Sequence, residues 1–346
     1  PSRYNPFRHP EAAKARQMYV LGRLRTLKWI TEEQYQQAIN EPLVYWSMPE
    51  NRGGASKWYF EEARRLLVET ELPMTLGAED PLRYRNKVQF PVAPGKREAL
   101  IGFYRPRSHD VIDVEDCLLQ PTSAAAARKA VKQWMAQYLV PAYEETRRTG
   151  LLRHLYLRSN QAGEVLCCLI VNGKQIPHAH ALIDLLQNAV PGLVGVVVNS
   201  NRKDTNVILG DSYHTLWGQD YLEETLCGLT FRLSVPSFFQ VNRAQTERLY
   251  ALALEYAGLT GTETVLDLYC GIGTISLAMA KQAGKVIGAE IVPEAIEDAK
   301  KNAVRNGMTN AEFFCGDAGE VAFKLSSEGI RPQVVCVDPP RKGLQA

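Results

Sequence analysis

Asp267-Leu268-Tyr269-Cys270-Gly271-Ile272-Gly273-Thr274 follows the short apolar run Thr264-Val265-Leu266 and leads into Ile275-Ser276-Leu277-Ala278. A strand, a glycine turn and a helix are the natural reading, because glycine lets the backbone reverse tightly and approach a ligand closely before a helix begins. Working outward, the pattern alternates strictly from residue 236. A helix (Arg243 to Ala257), a strand (Thr264 to Leu268) and a helix are followed by a strand (Lys285 to Glu290), a helix (Pro293 to Asn306), a strand (Ala311 to Gly316), a helix and a strand (Gln333 to Asp338). Such alternation predicts a parallel, doubly wound sheet whose right-handed crossovers bring the loops after the strands to one edge.

Acidic residues recur at those strand ends: Asp267, Glu290, Asp317 in Cys315-Gly316-Asp317, and Asp338 in Val337-Asp338-Pro339-Pro340. The glycine spacing differs from the dinucleotide GxGxxG, but a carboxylate ending the second strand can accept both hydroxyls of a ribose. The next two can meet an adenine amino group and border a reacting atom in the same crevice. Each aspartate alone is equally an ordinary cap or solvated turn. Four in register, each at a strand end, point to a nucleoside site.

Upstream, residues 73–235 read as a mixed α+β region. Strands are expected at Lys87 to Val92, Ala99 to Tyr104, Leu151 to Ser159, Glu164 to Val171, Leu193 to Asn199 and Leu229 to Val235, with helices at Ser123 to Gln137 and Ala179 to Ala189. Residues 1–72 read as helical, with a helix from Ala12 to Leu27, a helix start at Thr31-Glu32-Glu33-Gln34, a polar loop over Asn51 to Ser56 and a helix from Lys57 to Thr70. Arg83, Tyr84, Arg85 and Lys87 set cations beside an aromatic, a combination that grips phosphates and stacks on unpaired bases; the bland alternative is a solvated strand edge.

The 346 residues carry 40 Lys and Arg against 38 Asp and Glu, a net charge of +2, so composition leaves a polyanionic partner open without requiring one. The seven cysteines show neither zinc spacing nor a secretory disulfide pattern, which points to a reducing compartment. There is no long apolar run and no leader pattern, so a cytoplasmic, membrane-free monomer is expected. The sequence starts at Pro1 without Met and stops at Ala346, so both ends read as cut.

Taken in order, Ser237-Phe238-Phe239-Gln240-Val241-Asn242, Asp267 to Thr274 and Asp338-Pro339-Pro340-Arg341-Lys342-Gly343 resemble the bacterial 23S ribosomal-RNA uracil-5 methyltransferases. The likeness runs from about Leu76 to the last residue and includes Tyr84-Arg85-Asn86-Lys87 and Ser108-His109-Asp110-Val111-Ile112-Asp113. It implies an α/β fold with an incomplete Rossmann-like S-adenosyl-L-methionine methyltransferase core at 236–346, an α+β RNA-binding domain at 73–235 and ribosomal RNA as partner. It also implies that Gln240, Tyr269, Thr274, Glu290, Asp317 and Asp338 line the cofactor site, Thr274 standing where relatives often carry Asn. A transfer RNA substrate is the nearest variant of that reading.

In that family a cysteine thiolate adds to uracil C6, C5 attacks the cofactor methyl and a base removes the C5 proton. Both groups come after the Asp-Pro-Pro motif, so they are expected beyond residue 346, with little or no turnover from these residues alone. Cys167, Cys168, Cys270, Cys315 and Cys336 read as small hydrophobes in buried strands or the glycine loop. Cys117 matches the last ligand of a 4Fe-4S cluster in many relatives, but no cysteine precedes it here, so a free thiol and no cluster are expected. Residues 1–72, through Pro1-Ser2-Arg3-Tyr4-Asn5-Pro6, the Arg16 helix and Ile30 to Tyr35, look like the end of the glycosyltransferase domain of class A penicillin-binding proteins. The upstream glutamate motif of that family is absent, so no transglycosylation is expected; a chimera joined between Glu69 and Met74 is the leading explanation.

Overall fold

The computed structural model describes residues 10–26, 30–40 and 76–338, and the chain divides into two units, Pro1–Leu76 and Gly77–Ala346. The expected loop at 51–56, the helix at 57–70, the Pro1 to Pro6 stretch, the 69–74 join and Pro339 to Gly343 lie outside the described residues. In the first unit α1 (Pro10–Thr26) and α2 (Glu32–Asn40) are helices. The start of α2 is a reciprocal capping box: Gln34 N donates to Thr31 Oγ1 (3.1 Å), and Thr31 N donates to Gln34 Oε1 (2.8 Å).

The second unit opens with β1 (Lys87–Ala93), β2 (Leu100–Tyr104), β3 (Val111–Asp113), α3 (Thr122–Gln137), β4 (Leu152–Ser159), β5 (Val165–Val171), α4 (Ala179–Ala189), β6 (Leu193–Ser200) and β7 (Ser212–Gly218). Its strands form one mixed sheet in the order β3-β2-β1-β4-β5-β6-β7, with β5 and β6 parallel and the other neighbours antiparallel. β5 is buried along its whole length. Cys167 faces the core built on Trp134, Leu155 and Leu182, whereas Cys168 faces Tyr156, Leu222 and Val235. Covering on both faces explains the unbroken apolar run Val165-Leu166-Cys167-Cys168-Leu169-Ile170-Val171.

The hairpin β8 (Tyr221–Leu226) and β9 (Leu229–Ser234) follows. Then come α5 (Arg243–Ala257), β10 (Thr264–Leu268), α6 (Thr274–Ala280), β11 (Lys285–Glu290), α7 (Pro293–Arg305), β12 (Ala311–Cys315), α8 (Ala318–Ser327) and β13 (Val334–Val337). The four strands run parallel in the order β12-β11-β10-β13, so chain order reverses at β10, the point where open α/β sheets form a crevice. Side chains of α5 and α6 pack on one face with Val265 and Val286; Val321 and Leu325 of α8 cover the other with Leu266 and Ile287. The doubly wound, Rossmann-like expectation is met.

The hairpin ends just before residue 235 but packs into two cores. Leu222 packs on the seven-stranded sheet, while Leu226, Leu229, Phe231 and Leu233 share a core with Ile272, Leu277 and Phe313. The expectation that Cys315 and Cys336 are buried is corrected: Cys315 is exposed and Cys336 half-buried, because β12 and β13 are the outer strands of the described sheet. Gly288 of β11 lies under the Phe313 ring, where an added Cβ would come within 2.6 Å of Phe313 Cδ1 and 2.9 Å of Cys270 Sγ. Gly288→Ala is therefore expected to cost about 1–3 kcal/mol of stability, read as a lower urea midpoint; an unchanged midpoint would mean the ring relaxes freely.

Candidate functional site at the carboxyl edge of the parallel sheet

β10 ends at Asp267 and Leu268, and the chain turns at once through Tyr269 (φ +71°), Gly271 (φ +55°) and Gly273 (φ +83°) into α6. Tyr269 N and Cys270 N both donate to Ala289 O, at 2.9 and 3.0 Å, so the turn is pinned to the end of β11. A Cβ on Gly273 would meet Phe313 Cζ at 3.0 Å and Ala299 Cβ at 3.3 Å, so glycine is needed there for helix packing. A Cβ on Gly271 would meet nothing within 4 Å. That side of the loop faces open space, as a loop that receives a ligand must.

Glu290 spans the next two loops. Its Oε2 accepts from Gly271 N (3.2 Å) and its Oε1 from Val292 N (3.0 Å). Each carboxylate oxygen has two lone pairs, so one on each remains for a vicinal diol. Asp317 caps α8, its Oδ1 accepting from Gly319 N (2.9 Å) and Glu320 N (3.3 Å). It stands beside Glu290, since Glu290 and Cys315 are register partners and Gly316 N donates to Glu290 O. On the other side of β10, Gln240 Nε2 donates to Asp338 Oδ2 at 3.4 Å. Tyr269, Glu290, Asp317, Gln240 and Asp338 thus share one edge. Thr274 opens α6, with its hydroxyl engaged by Tyr250 OH at 2.8 Å.

Sequence reasoning missed Asp267 as more than the start of the motif. It is fully buried; Ser276 Oγ donates to its Oδ2, and its Oδ1 has no partner. Burial pushes its carboxyl up to about 7, against the Ser276 hydrogen bond and with the charges of Asp338 and Glu290. An orphaned acceptor beneath an acidic rim suits a cationic ligand, because a neighbouring positive charge favours the ionised carboxylate. With the open face at Gly271, the spare lone pairs of Glu290 and this acceptor, the residues fit a sulfonium nucleoside.

The expected RNA-contacting residues divide. Arg83 is tied up in a two-pronged pair with Asp116 (2.7 and 2.6 Å) and also donates to the carbonyls of Cys117 and Gln120, both at 3.0 Å. It is thus a brace for the Asp116 to Gln120 turn, and Cys117 is a half-buried free thiol within that turn. Among the described residues no three His, Cys, Asp or Glu side chains group to hold a metal. Arg83, Tyr84 and Arg85 line a groove of about 1080 Å³ with Gln161, Arg243 and Arg248. Lys87 sits 5.8 Å from the centroid of the exposed Phe238 ring, and burial first, then Arg158 and Arg85, lower its ammonium from the usual range.

This segment is fastened to the edge that carries Gln240. Asn86 Nδ2 donates to Gln240 O (2.9 Å), Asn86 N donates to Val241 O (3.0 Å), and Arg85 bridges Asn242. Beneath it, the buried Arg158 donates from Nη2 to Ser237 O at 2.5 Å and to Tyr156 OH at 2.8 Å. These are contacts from β4 to a loop about eighty residues later, which no local pattern announces.

Residues 259–329 match a family described as a methyltransferase domain. The chain is 47% identical over 280 residues to an uncharacterized RNA methyltransferase of Clostridium acetobutylicum, covering 81% of this chain and 61% of that protein. It is 45% identical over 270 residues to another from Halalkalibacterium halodurans, covering 78% and 59%. The chain thus spans about three fifths of the length of the curated relatives it matches. Its fold is similar to that of the Pyrococcus abyssi tRNA (uracil-54, C5)-methyltransferase solved with S-adenosyl-L-homocysteine. That match has a TM-score of 0.67 and 23% identity and covers 84% of this chain and 67% of that one. The parallel sheet and its helices are a Rossmann-like methyltransferase core.

The raised carboxyl of Asp267 has a defined sign. The folded state holds its proton between pH 4 and 7, where the unfolded chain has released it, so this group's contribution to stability falls as pH rises through that window. Asp267→Asn removes the titration. The stability of the variant relative to the parent is expected to rise by about 2–4 kcal/mol from pH 4 to pH 8, measured by urea denaturation; parallel profiles would show an ordinary carboxylate.

Proposed function

We propose that these residues form the cofactor-binding and RNA-positioning part of an S-adenosyl-L-methionine-dependent RNA methyltransferase acting on uracil C5, with ribosomal RNA as substrate. The observation that carries this reading is the joint between Gln240 and Asp338, held from behind by Asn86. It sets the Tyr84 to Lys87 segment against the same edge as Glu290. The 47% likeness to an RNA methyltransferase supports an RNA substrate, and the motif order read from the sequence supports uracil C5 and the 23S molecule.

In this reading Glu290 takes the ribose hydroxyls, Asp317 the adenine amino group through its uncommitted Oδ2, and Tyr269 the wall of the turn. When bound, the cofactor supplies an electrophilic methyl group. Gln240 and Asp338 border the uracil pocket. Phe238, exposed at the mouth, offers a face for a flipped base, and Lys87 and Arg85 offer charge to its phosphates. Thr274 supports the turn through Tyr250.

None of the cysteines described here is assigned as nucleophile. Cys167 is buried with its thiol raised to about 12, Cys270 is buried and raised, Cys336 is raised to about 12, and Cys315 faces solvent beside Glu290. Thiolate attack on C6 and removal of the C5 proton, which the family likeness implies, are assigned to no residue described here. No helix among the described residues is long and apolar enough to cross a membrane. A peptidoglycan glycosyltransferase reading rests on residues 1–72 alone, and a transfer RNA substrate remains the variant to be separated by substrate choice.

Isothermal titration of the chain with S-adenosyl-L-homocysteine tests the pocket. Glu290→Ala is expected to weaken binding at least about tenfold, since two hydrogen bonds to a charged acceptor are lost; Glu290→Gln, which keeps one acceptor, should fall between. Equal affinity in all three would remove the ribose assignment. In a binding assay with uridine-containing single-stranded RNA, Phe238→Ala is expected to lose affinity while keeping that for S-adenosyl-L-homocysteine; unchanged RNA affinity would remove Phe238 from the mouth.

A further inference from the structure

A second concavity, of about 590 Å³, lies between α7 and strand β9 and is lined by Arg232, Asp298, Lys300, Lys301 and Arg305. From Ala299 to Asn310 the chain carries three cations and no acid. The groove is built on Asn302, which is buried: its Oδ1 accepts from Arg232 N (3.1 Å) and from Arg305 Nη1 (2.8 Å), while its Nδ2 donates to Ile272 O (3.3 Å). One side chain therefore fixes the strand that carries Arg232, the guanidinium of Arg305 and the glycine loop. The Arg232 guanidinium lies 3.7 Å from the centroid of the Tyr221 ring. Lys301 is exposed and has no hydrogen-bond or ion-pair partner among the described residues. The acid nearest the arginines, Glu223, is shared between Arg232 (3.7 Å) and Arg305 (3.8 Å), and neither contact is a close pair.

The groove adjoins the proposed reaction mouth. β9 runs from Arg232 into Ser234 and the Ser237-Phe238 turn, and Ser237 Oγ donates to Asp298 Oδ2 at 3.2 Å. An RNA strand whose base enters past Phe238 must leave over one side of that turn. We infer that the Arg232, Lys301 and Arg305 groove is a phosphodiester track that holds the RNA backbone flanking the modified nucleotide. Two guanidiniums fixed by Asn302 and by an aromatic face are preorganised for phosphate oxygens, and the free ammonium of Lys301 adds a mobile contact. Contacts to phosphate carry no sequence information, so the track adds affinity and orientation and leaves sequence choice to the mouth. This rests on the RNA reading above.

The test compares Lys301→Glu with Lys174→Glu, the same charge change at an exposed lysine of the β5 to α4 loop. Each is titrated with a uridine-containing single-stranded RNA across a salt series and with S-adenosyl-L-homocysteine. Lys301→Glu is expected to bind RNA about five- to tenfold more weakly at 0.1 M salt, with the slope of log K against log salt shallower by about 0.7, the value of one lost phosphate contact. Lys174→Glu and both cofactor affinities should match the parent. If the parent binds RNA and Lys301→Glu matches it or Lys174→Glu, the track is refuted while the RNA reading stands. If the parent binds S-adenosyl-L-homocysteine but no RNA, both are overturned.

Discussion

The Glu290 carboxylate ties two loops into one surface. By accepting from Gly271 N and Val292 N, it holds the turn after β10 against the start of α7. The turn needs several anchors, because Tyr269 sits at a positive φ that a side chain resists and Gly271 packs against nothing on its open side. Ala289 O accepts from Tyr269 and Cys270, Asn302 Nδ2 donates to Ile272 O, and Cys270 and Ile272 are buried. β11 therefore shapes the loop of β10, and Gly288, two residues before Glu290, is small because Phe313 must close over it.

The arrangement carries an electrostatic cost. Asp267, Glu290 and Asp338 stand near enough that the outer two help to keep the buried one protonated. A buried carboxyl with one oxygen unsatisfied is destabilising in the free protein and becomes favourable only beside positive charge. Such a site favours a cation over a neutral group, at some cost to the stability of the free protein. The mouth has the opposite sign, since Lys87, Arg85 and the buried Arg158 make no ion pair with an acid among the described residues. The acidic strand ends and the cations beside Phe238 thus form two neighbouring regions of opposite charge.

Much of this was legible in the residues. The Thr31 and Gln34 capping box, the alternation from Arg243 to Val337 and the acidic strand ends are local patterns, and local patterns report local structure. β7 was not legible, because Ser212 to Gly218 is mostly exposed and shows no alternation. β8 does alternate, but Glu224 sits on its buried face, where an apolar residue would have announced the strand. The role of Arg83 was hidden for another reason: a cation beside a tyrosine looks the same whether it meets phosphate or, as here, an aspartate 33 residues away. Cys315 and Cys336 depart from the expected burial because apolar strands are buried only where neighbours cover them.

A crystal structure of the chain grown with S-adenosyl-L-homocysteine measures the central claim most directly. The ribose hydroxyls should lie within about 3 Å of the Glu290 carboxylate, with the adenine beside Asp317 and the sulfur toward Gln240 and Asp338. A nucleoside bound instead in the groove between Tyr84 and Arg243, with the Glu290 edge empty, would contradict it.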